Sequence, residues 1–135
     1  MGGDFFDTNV LVYAASEDDL KFERAEALIA SGGTISVQVL NAFANVARRK
    51  MRLGWPAIRH FLGGVRDLLN VIAIDTAIHE KAFTVAERHR IAFYDALIVA
   101  SALTAECTTL FTEDLHDGMI FEGRLQVINP FRVSL

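Results

Sequence analysis

Phe5-Phe6-Asp7-Thr8-Asn9-Val10-Leu11-Val12-Tyr13 sets an aspartate directly after an apolar pair and directly before a run of mostly apolar residues. That order predicts a short buried strand ending at a carboxylate, with a helix starting immediately behind it. In an open α/β sheet the loops leaving the carboxyl ends of the strands form the ligand crevice, and an acid fixed there can hold a cation or a developing charge. A helix cap is the plainer role for a single aspartate in that position. What separates the two is whether other acids join it.

Working outward, the same alternation continues to the end of the chain. Strands are predicted over 4–6, 34–36, 71–74, 109–112 and 126–128, and helices over 10–15, 19–31, 38–52, 56–69, 76–89 and 94–105. Gly32-Gly33 and Gly54 punctuate helix ends, Pro56 suits a first helical turn, and Thr76 suits a cap. Strand-length apolar runs alternating with longer helical patterns indicate an α/β fold with a mostly parallel sheet of about five strands flanked by helices. At 135 residues the chain is expected to be a single domain, 1–135.

Composition narrows the function classes. Hydrophobic residues make up 52% and charged ones 22%, which excludes a disordered chain. No apolar stretch reaches the roughly 18 residues needed to cross a bilayer, and Met1-Gly2-Gly3-Asp4 lacks the basic and apolar regions of a signal peptide. A cytoplasmic protein without a membrane partner is expected. One cysteine, Cys107, excludes an internal disulfide and leaves either a small buried residue or a lone nucleophile. A net charge of -4 argues against gripping nucleic acid over the whole surface but leaves room for a local basic patch.

Two more acids are expected on the edge that holds Asp7. Asp95 precedes Ala96-Leu97-Ile98-Val99-Ala100, a helix apolar almost all round and therefore buried. A carboxylate there must meet a cap, a cation or the crevice. Asp114 follows the strand Thr109-Leu110-Phe111-Thr112, in an acidic loop with Glu113 and Asp117 whose simplest reading is solvated turn residues. Carboxylates crowded at one sheet edge repel unless a divalent cation neutralises them, and magnesium or manganese prefers such oxygen ligands.

With these residues in view, the chain resembles a PIN-domain ribonuclease, and within that superfamily the toxin of a VapBC-type toxin–antitoxin pair. The resemblance runs along essentially the whole sequence. It rests on Asp7-Thr8-Asn9-Val10-Leu11, on Ser36-Val37-Gln38-Val39-Leu40-Asn41 with Phe43, on Tyr94-Asp95-Ala96-Leu97-Ile98-Val99-Ala100, and on Leu110-Phe111-Thr112-Glu113-Asp114-Leu115. It implies a single PIN-like, Rossmann-like domain and a magnesium-dependent endoribonuclease, with manganese as the alternative ion. It further implies Asp7, Asp95 and Asp114 as metal ligands, Thr112 as an accessory hydroxyl, Asn9 orienting Asp7 through its side chain, and Asp117 as an accessory acid. RNA substrate, a cognate VapB-type antitoxin and a homodimer are the implied partners.

The sequence departs from the family pattern at Ala42, where a catalytic glutamate normally stands between the asparagine and the phenylalanine. At helical spacing Gln38, Ala42, Asn45, Arg49 and Arg52 form a largely polar stripe, so alanine is its exception. Alanine as a good helix former on an exposed face is the alternative. A lost glutamate, natural or by substitution, implies a nuclease of impaired activity. Arg48, Arg49, Lys50 and Arg52 form the dense basic run, suited to RNA phosphates or to the helix C-terminal dipole. Leu28, Ile29, Phe61, Leu62 and Val65 could contact a partner or serve the protein's own core.

Two other readings remain open. A haloacid-dehalogenase-type phosphohydrolase also begins with an aspartate after its first strand, but its second aspartate would fall at Asn9 and its far lysine could only be Lys81. A non-catalytic binding module of the same fold is the other, and Ala42 is its support.

Overall fold

The computed structural model describes residues 3–132, so the outer ends of the expected domain, residues 1–2 and 133–135, lie outside the described residues. In chain order the elements are β1 (Asp4–Phe6), α1 (Thr8–Ala14), α2 (Asp19–Ala30), β2 (Thr34–Ser36), α3 (Val37–Arg49), α4 (Trp55–Leu68), β3 (Asn70–Ile72), α5 (Thr76–His89), α6 (Phe93–Thr104), β4 (Thr109–Phe111), β5 (Ile120–Phe121) and β6 (Leu125–Ile128). Their strands form one six-stranded sheet in the order β3-β2-β1-β4-β6-β5. Every neighbouring pair is parallel except β5 and β6.

Helices on a parallel sheet bury its central strands on both faces, which is why these strands read as apolar runs. Phe5, Phe6, Ile35 and Leu110 are completely buried. The chain winds from β1 out to β2 and β3, then returns across β1 to add β4, with Phe5 paired to Thr34 on one side and Leu110 on the other. Strand order therefore reverses between β1 and β4, and the crevice of such a sheet opens at the carboxyl ends of those two strands.

Packing fixes several choices of residue. A Cβ on Gly33 would lie 2.7 Å from the Phe6 ring, so only glycine lets the chain enter β2 this close to β1. Residues 96–103 of α6 are all buried, and Ser101 satisfies its hydroxyl by donating to the Leu97 carbonyl at 2.7 Å. Ile29 and Val65 are buried in the core, and Leu28, Phe61 and Leu62 pack partly against it, so the protein's own interior takes most of the apolar face considered for partners. Among the described residues no helix is long and apolar enough to cross a membrane.

Element ends shift by up to two residues, as at β3 (70–72 against 71–74) and α1 (8–14 against 10–15), and three further differences have a physical reason. The sheet has six strands rather than about five, because Ile120–Phe121 pairs antiparallel with β6. A tight turn makes that hairpin: Glu122 and Gly123 both have positive φ, 51° and 66°, and Arg124 N–H donates to the Phe121 carbonyl at 3.1 Å. Helix α3 ends at Arg49, not at 52, and Arg52 adopts φ 56°, which takes it off the helical stripe. Asp75, not Thr76, caps α5, accepting from the Ile78 amide at 2.9 Å.

Candidate functional site

Asp7 closes β1 and caps α1, so its carboxylate is held at the point where strand order reverses. The side chain is 6% exposed, with Oδ1 accepting from the Thr8 amide at 2.7 Å and Oδ2 accepting from the Thr112 hydroxyl at 2.7 Å. Its backbone N–H donates to the Phe111 carbonyl at 3.0 Å and locks the end of β1 to the end of β4.

Thr112 is the hub. It is fully buried, and besides donating to Asp7 it accepts from the Asp114 amide at 3.0 Å and from Asn9 Nδ2 at 3.3 Å. A hydroxyl has one hydrogen to give and two lone pairs to receive, and all are in use. Asn9 also donates to Asp114 Oδ2 at 3.2 Å, so its side chain braces Asp114 and Thr112 and does not bond Asp7 as expected. The Asn9 carbonyl oxygen is buried and has no partner among the described residues.

Asp95 sits in the first turn of α6, yet the cap of that helix is Ala92, which has no capping side chain. Capping is therefore not its role. It is half-buried and makes no hydrogen bond among the described residues. Burial, then the nearby Asp114 charge, raise its pKa above the ordinary carboxylate range. Asp7 is pushed up to about 6, chiefly by burial; the hydrogen bonds from Thr112 and Thr8 oppose the rise, and the charges of Asp114 and Asp95 add to it. Asp7, Asp95 and Asp114 each present an oxygen within 4.8 Å of the others, an acidic cluster that could bind a metal ion. The donor set fits: all oxygen, anionic, on three separate elements, with one carboxylate lacking any protein partner.

A cleft of about 410 Å³ opens over two of these acids, Asp7 and Asp95, and Asp114 stands outside its lining. Asp7 and Thr8 line it, α6 supplies Tyr94, Asp95 and Ile98, and α3 faces them with Gln38, Asn41, Ala42 and Asn45. The residue after Ala42, Phe43, is fully buried, whereas Ala42 itself presents its methyl group to the cleft beside the acids.

Other expected residues are not brought to this place. Asp117 Oδ1 accepts from the Asn129 amide at 2.8 Å and Oδ2 from Arg132 at 2.9 Å, bonds that lower its pKa. It fastens the segment after β6 and lies outside the group of three acids. Arg48 donates to the Leu53 carbonyl at 3.3 Å and lies 5.0 Å from the centre of the Trp55 ring, so it serves the α3–α4 connection. Arg49 is exposed at the last position of α3, and neither it nor Arg52 lines the cleft. Cys107 is buried and burial pushes its thiol pKa up, which disfavours a thiolate nucleophile.

One support was missed. Tyr13 OH donates to Glu113 Oε1 at 2.7 Å and accepts from Lys21 Nζ at 2.9 Å, while Lys21 and Glu113 stand 3.8 Å apart. This bridge ties the residue before Asp114 to α1 and α2. Only the position of Glu113 beside a candidate ligand could have hinted at it, because Tyr13 and Glu113 are 100 residues apart.

A family model described as the PIN domain matches residues 5–116. Among solved structures the chain is similar to a toxin–antitoxin complex from Klebsiella pneumoniae, at 21% identity and TM-score 0.73, covering 96% of this chain and 99% of that one. It is similar to VapC20 of Mycobacterium tuberculosis, described as a sarcin–ricin-loop-cleaving toxin, at 22% identity and TM-score 0.67 over 82% of this chain and 91% of that one. The third is VapBC2 of Rickettsia felis bound to promoter DNA, at 24% identity and TM-score 0.59 over 82% and 87%. At these identities the likeness is one of fold. No curated protein sequence matches the chain significantly.

Proposed function

The chain belongs to the PIN-domain family, and from that membership we propose a metal-dependent endoribonuclease, the toxin of a VapBC-type pair, built as one PIN-like domain and impaired by Ala42. The observation that carries the reading is the convergence of Asp7, Asp95 and Asp114 on one point of the sheet edge. A divalent ion held by those carboxylates, magnesium first and manganese second, would supply an activated water and charge neutralisation for phosphodiester hydrolysis. Thr112 and the Thr8 amide fix the rotamer of Asp7, Asn9 aims Asp114, and Asp95 keeps its oxygens free. Burial of Asp7 at the cleft floor excludes bulk water from one side of the reacting groups.

Ala42 is the expected place of a fourth carboxylate, and without it the cluster carries less charge and orients water less well. The structural neighbours described as toxin–antitoxin assemblies support a VapB-type antitoxin as partner, and one described as cleaving the sarcin–ricin loop supports RNA as substrate. A homodimer acting in the cytoplasm completes the proposal.

The test is cleavage of a total RNA pool by this chain and by Ala42→Glu, with magnesium and with EDTA. The variant is expected to cut about tenfold faster or more in magnesium, and neither form to cut in EDTA. Equal rates would remove the role given to position 42. A second reading, a binding module that has lost its chemistry, draws on Ala42 alone and would gain if both forms bound RNA and neither cut it.

A further inference from the structure

Lys81, the lysine that a phosphohydrolase would have needed beside Asp7, does not line the acidic cleft. It lines a separate small pocket between α5 and the β5–β6 turn, together with Thr84, Arg88 and His89. Positions 81, 84, 85, 88 and 89 share one face of a helix, at the spacing that ordinarily carries an apolar stripe. In α5 only Val85 of the five is apolar. Arg88 and His89 complement the negative C-terminal end of the helix, but that does not account for Lys81, two turns earlier, or for Thr84 between them.

All four polar side chains offer hydrogens: an ammonium, a hydroxyl, a planar guanidinium fork and a ring N–H. Among the described residues the Thr84 hydroxyl, the Arg88 guanidinium and the His89 ring nitrogens have no hydrogen-bond partner. The imidazole is held in place by the Phe121 ring, edge to face, with centroids 4.7 Å apart. Beneath the donors the floor is apolar and buried, made by Val85, Leu103 and Phe121, and such a floor strengthens the pull of the charges above it. The volume is about 50 Å³. At about 10–15 Å³ for each water-sized sphere it takes about four, the oxygen count of a phosphate.

One anion already stands at the rim. Glu122 has φ 51°, a left-handed conformation in which an ordinary side chain is uncommon, and from it the carboxylate reaches Lys81 Nζ at 3.2 Å and 3.4 Å. The two side chains are 33% and 34% exposed, and an ion pair so open to water contributes little to stability. It can be exchanged for a ligand. Two cations against one carboxylate leave the charge of Arg88 unbalanced, in a chain whose net charge is -4.

We propose that this pocket binds one phosphoryl dianion, a free phosphate or the monoester end of a nucleotide, on Lys81, Thr84, Arg88 and His89, with Glu122 as the internal competitor. A sugar or base does not fit inside and would project into solvent. A phosphodiester carries one charge and two substituents, so an internal phosphate of RNA is a poor ligand here. The site uses none of the three clustered acids and no metal.

The test is a two-dimensional NMR titration of the full chain, stripped of divalent ions by a chelating resin, at constant ionic strength and about pH 7.5, where a phosphomonoester is a dianion. Inorganic phosphate, adenosine 5′-monophosphate and dimethyl phosphate are the probes. Phosphate is expected to shift the Thr84, Val85, Arg88 and Glu122 amides saturably, with a Kd of about 1 mM, and to leave Asp7 and Asp95 unmoved. Dimethyl phosphate should bind at least about tenfold more weakly, as should phosphate to Arg88→Met or Lys81→Met. Glu122→Gln should bind phosphate about threefold tighter or more, because a competing charge is gone. That gain cannot come from a damaged fold, and unchanged thermal melting of the two methionine variants separates lost binding from lost structure. Nucleotide binding as tight as phosphate upholds the site with the monoester as its ligand; nucleotide binding tenfold weaker upholds it with free phosphate. Shifts that do not saturate, equal affinity in Arg88→Met, equal affinity for the diester, or no gain in Glu122→Gln overturns the proposal.

Discussion

Thr112 donates its hydroxyl hydrogen to Asp7 across 2.7 Å, and the same oxygen receives the Asp114 amide at 3.0 Å and the Asn9 amide at 3.3 Å. One buried hydroxyl thus sets the relative positions of two of the three acids. Thr112→Val keeps the shape and removes the hydroxyl. It is expected to destabilise by about 2 kcal/mol, because a buried carboxylate loses its donor, and to raise the Asp7 pKa further. Urea denaturation at pH 7 and an NMR titration of Asp7 measure the two effects.

The raised Asp7 pKa gives stability a pH dependence of definite sign. With the folded value about 6 against an ordinary 3.8, the folded state holds a proton that the unfolded chain releases between those limits. The contribution of Asp7 to stability in EDTA should therefore be largest below about pH 4, fall as pH rises to about 6, and then level off, a change of about 3 kcal/mol. Asp95, also raised, acts in the same direction. Asp7→Asn should flatten most of the slope, as should a saturating divalent ion; denaturant melts from pH 3.5 to 7.5 provide the check.

Ala42→Glu adds a carboxylate beside Asp7 and Asp95. In EDTA near neutral pH it should destabilise by about 1–2 kcal/mol through like-charge repulsion, and magnesium should reverse the order of the two proteins' melting temperatures. Differential scanning calorimetry with and without the ion reads this independently of RNA cleavage.

Tyr13→Phe removes the hydroxyl that links Lys21 to Glu113. The expected cost is about 1 kcal/mol. Manganese affinity, measured by isothermal titration calorimetry, should fall several-fold because the loop carrying Asp114 loses its tether.

Asp117→Asn should leave manganese affinity unchanged, since its carboxylate serves Asn129 and Arg132. Its depressed pKa contributes stability that is present above the ordinary carboxylate range and lost as pH falls through its lowered value. Faster hydrogen exchange at the Asn129 amide in the variant is the expected signature.

The sequence made the frame legible because the frame is local. Strand β1, the start of β2 and the acid after each central strand follow from apolar runs with a punctuating residue, and such runs survive in a single chain. Ile120–Phe121 escaped because two residues show no periodicity, and its turn is Glu122-Gly123 rather than an asparagine–glycine pair. The three residues beyond Arg49 looked helical by composition, yet backbone at Arg52 turns left-handed to let α4 fold back. Asn9 was expected to orient Asp7, but which neighbour its amide chooses depends on Thr112 and Asp114, more than 100 positions away. The bridge among Tyr13, Lys21 and Glu113 was invisible for the same reason.

That separation has a temporal side. Asp7 and Thr112 are 105 residues apart, and the bond between them forms only after β4 has docked against β1. A polypeptide emerging from the ribosome exposes Asp7 long before Thr112 has been synthesised. Its cluster of acids remains unassembled until Asp114 has been added, so a chain released before that point would lack one of the three carboxylates. Closure of the site thereby reports that β4 has reached its place beside β1.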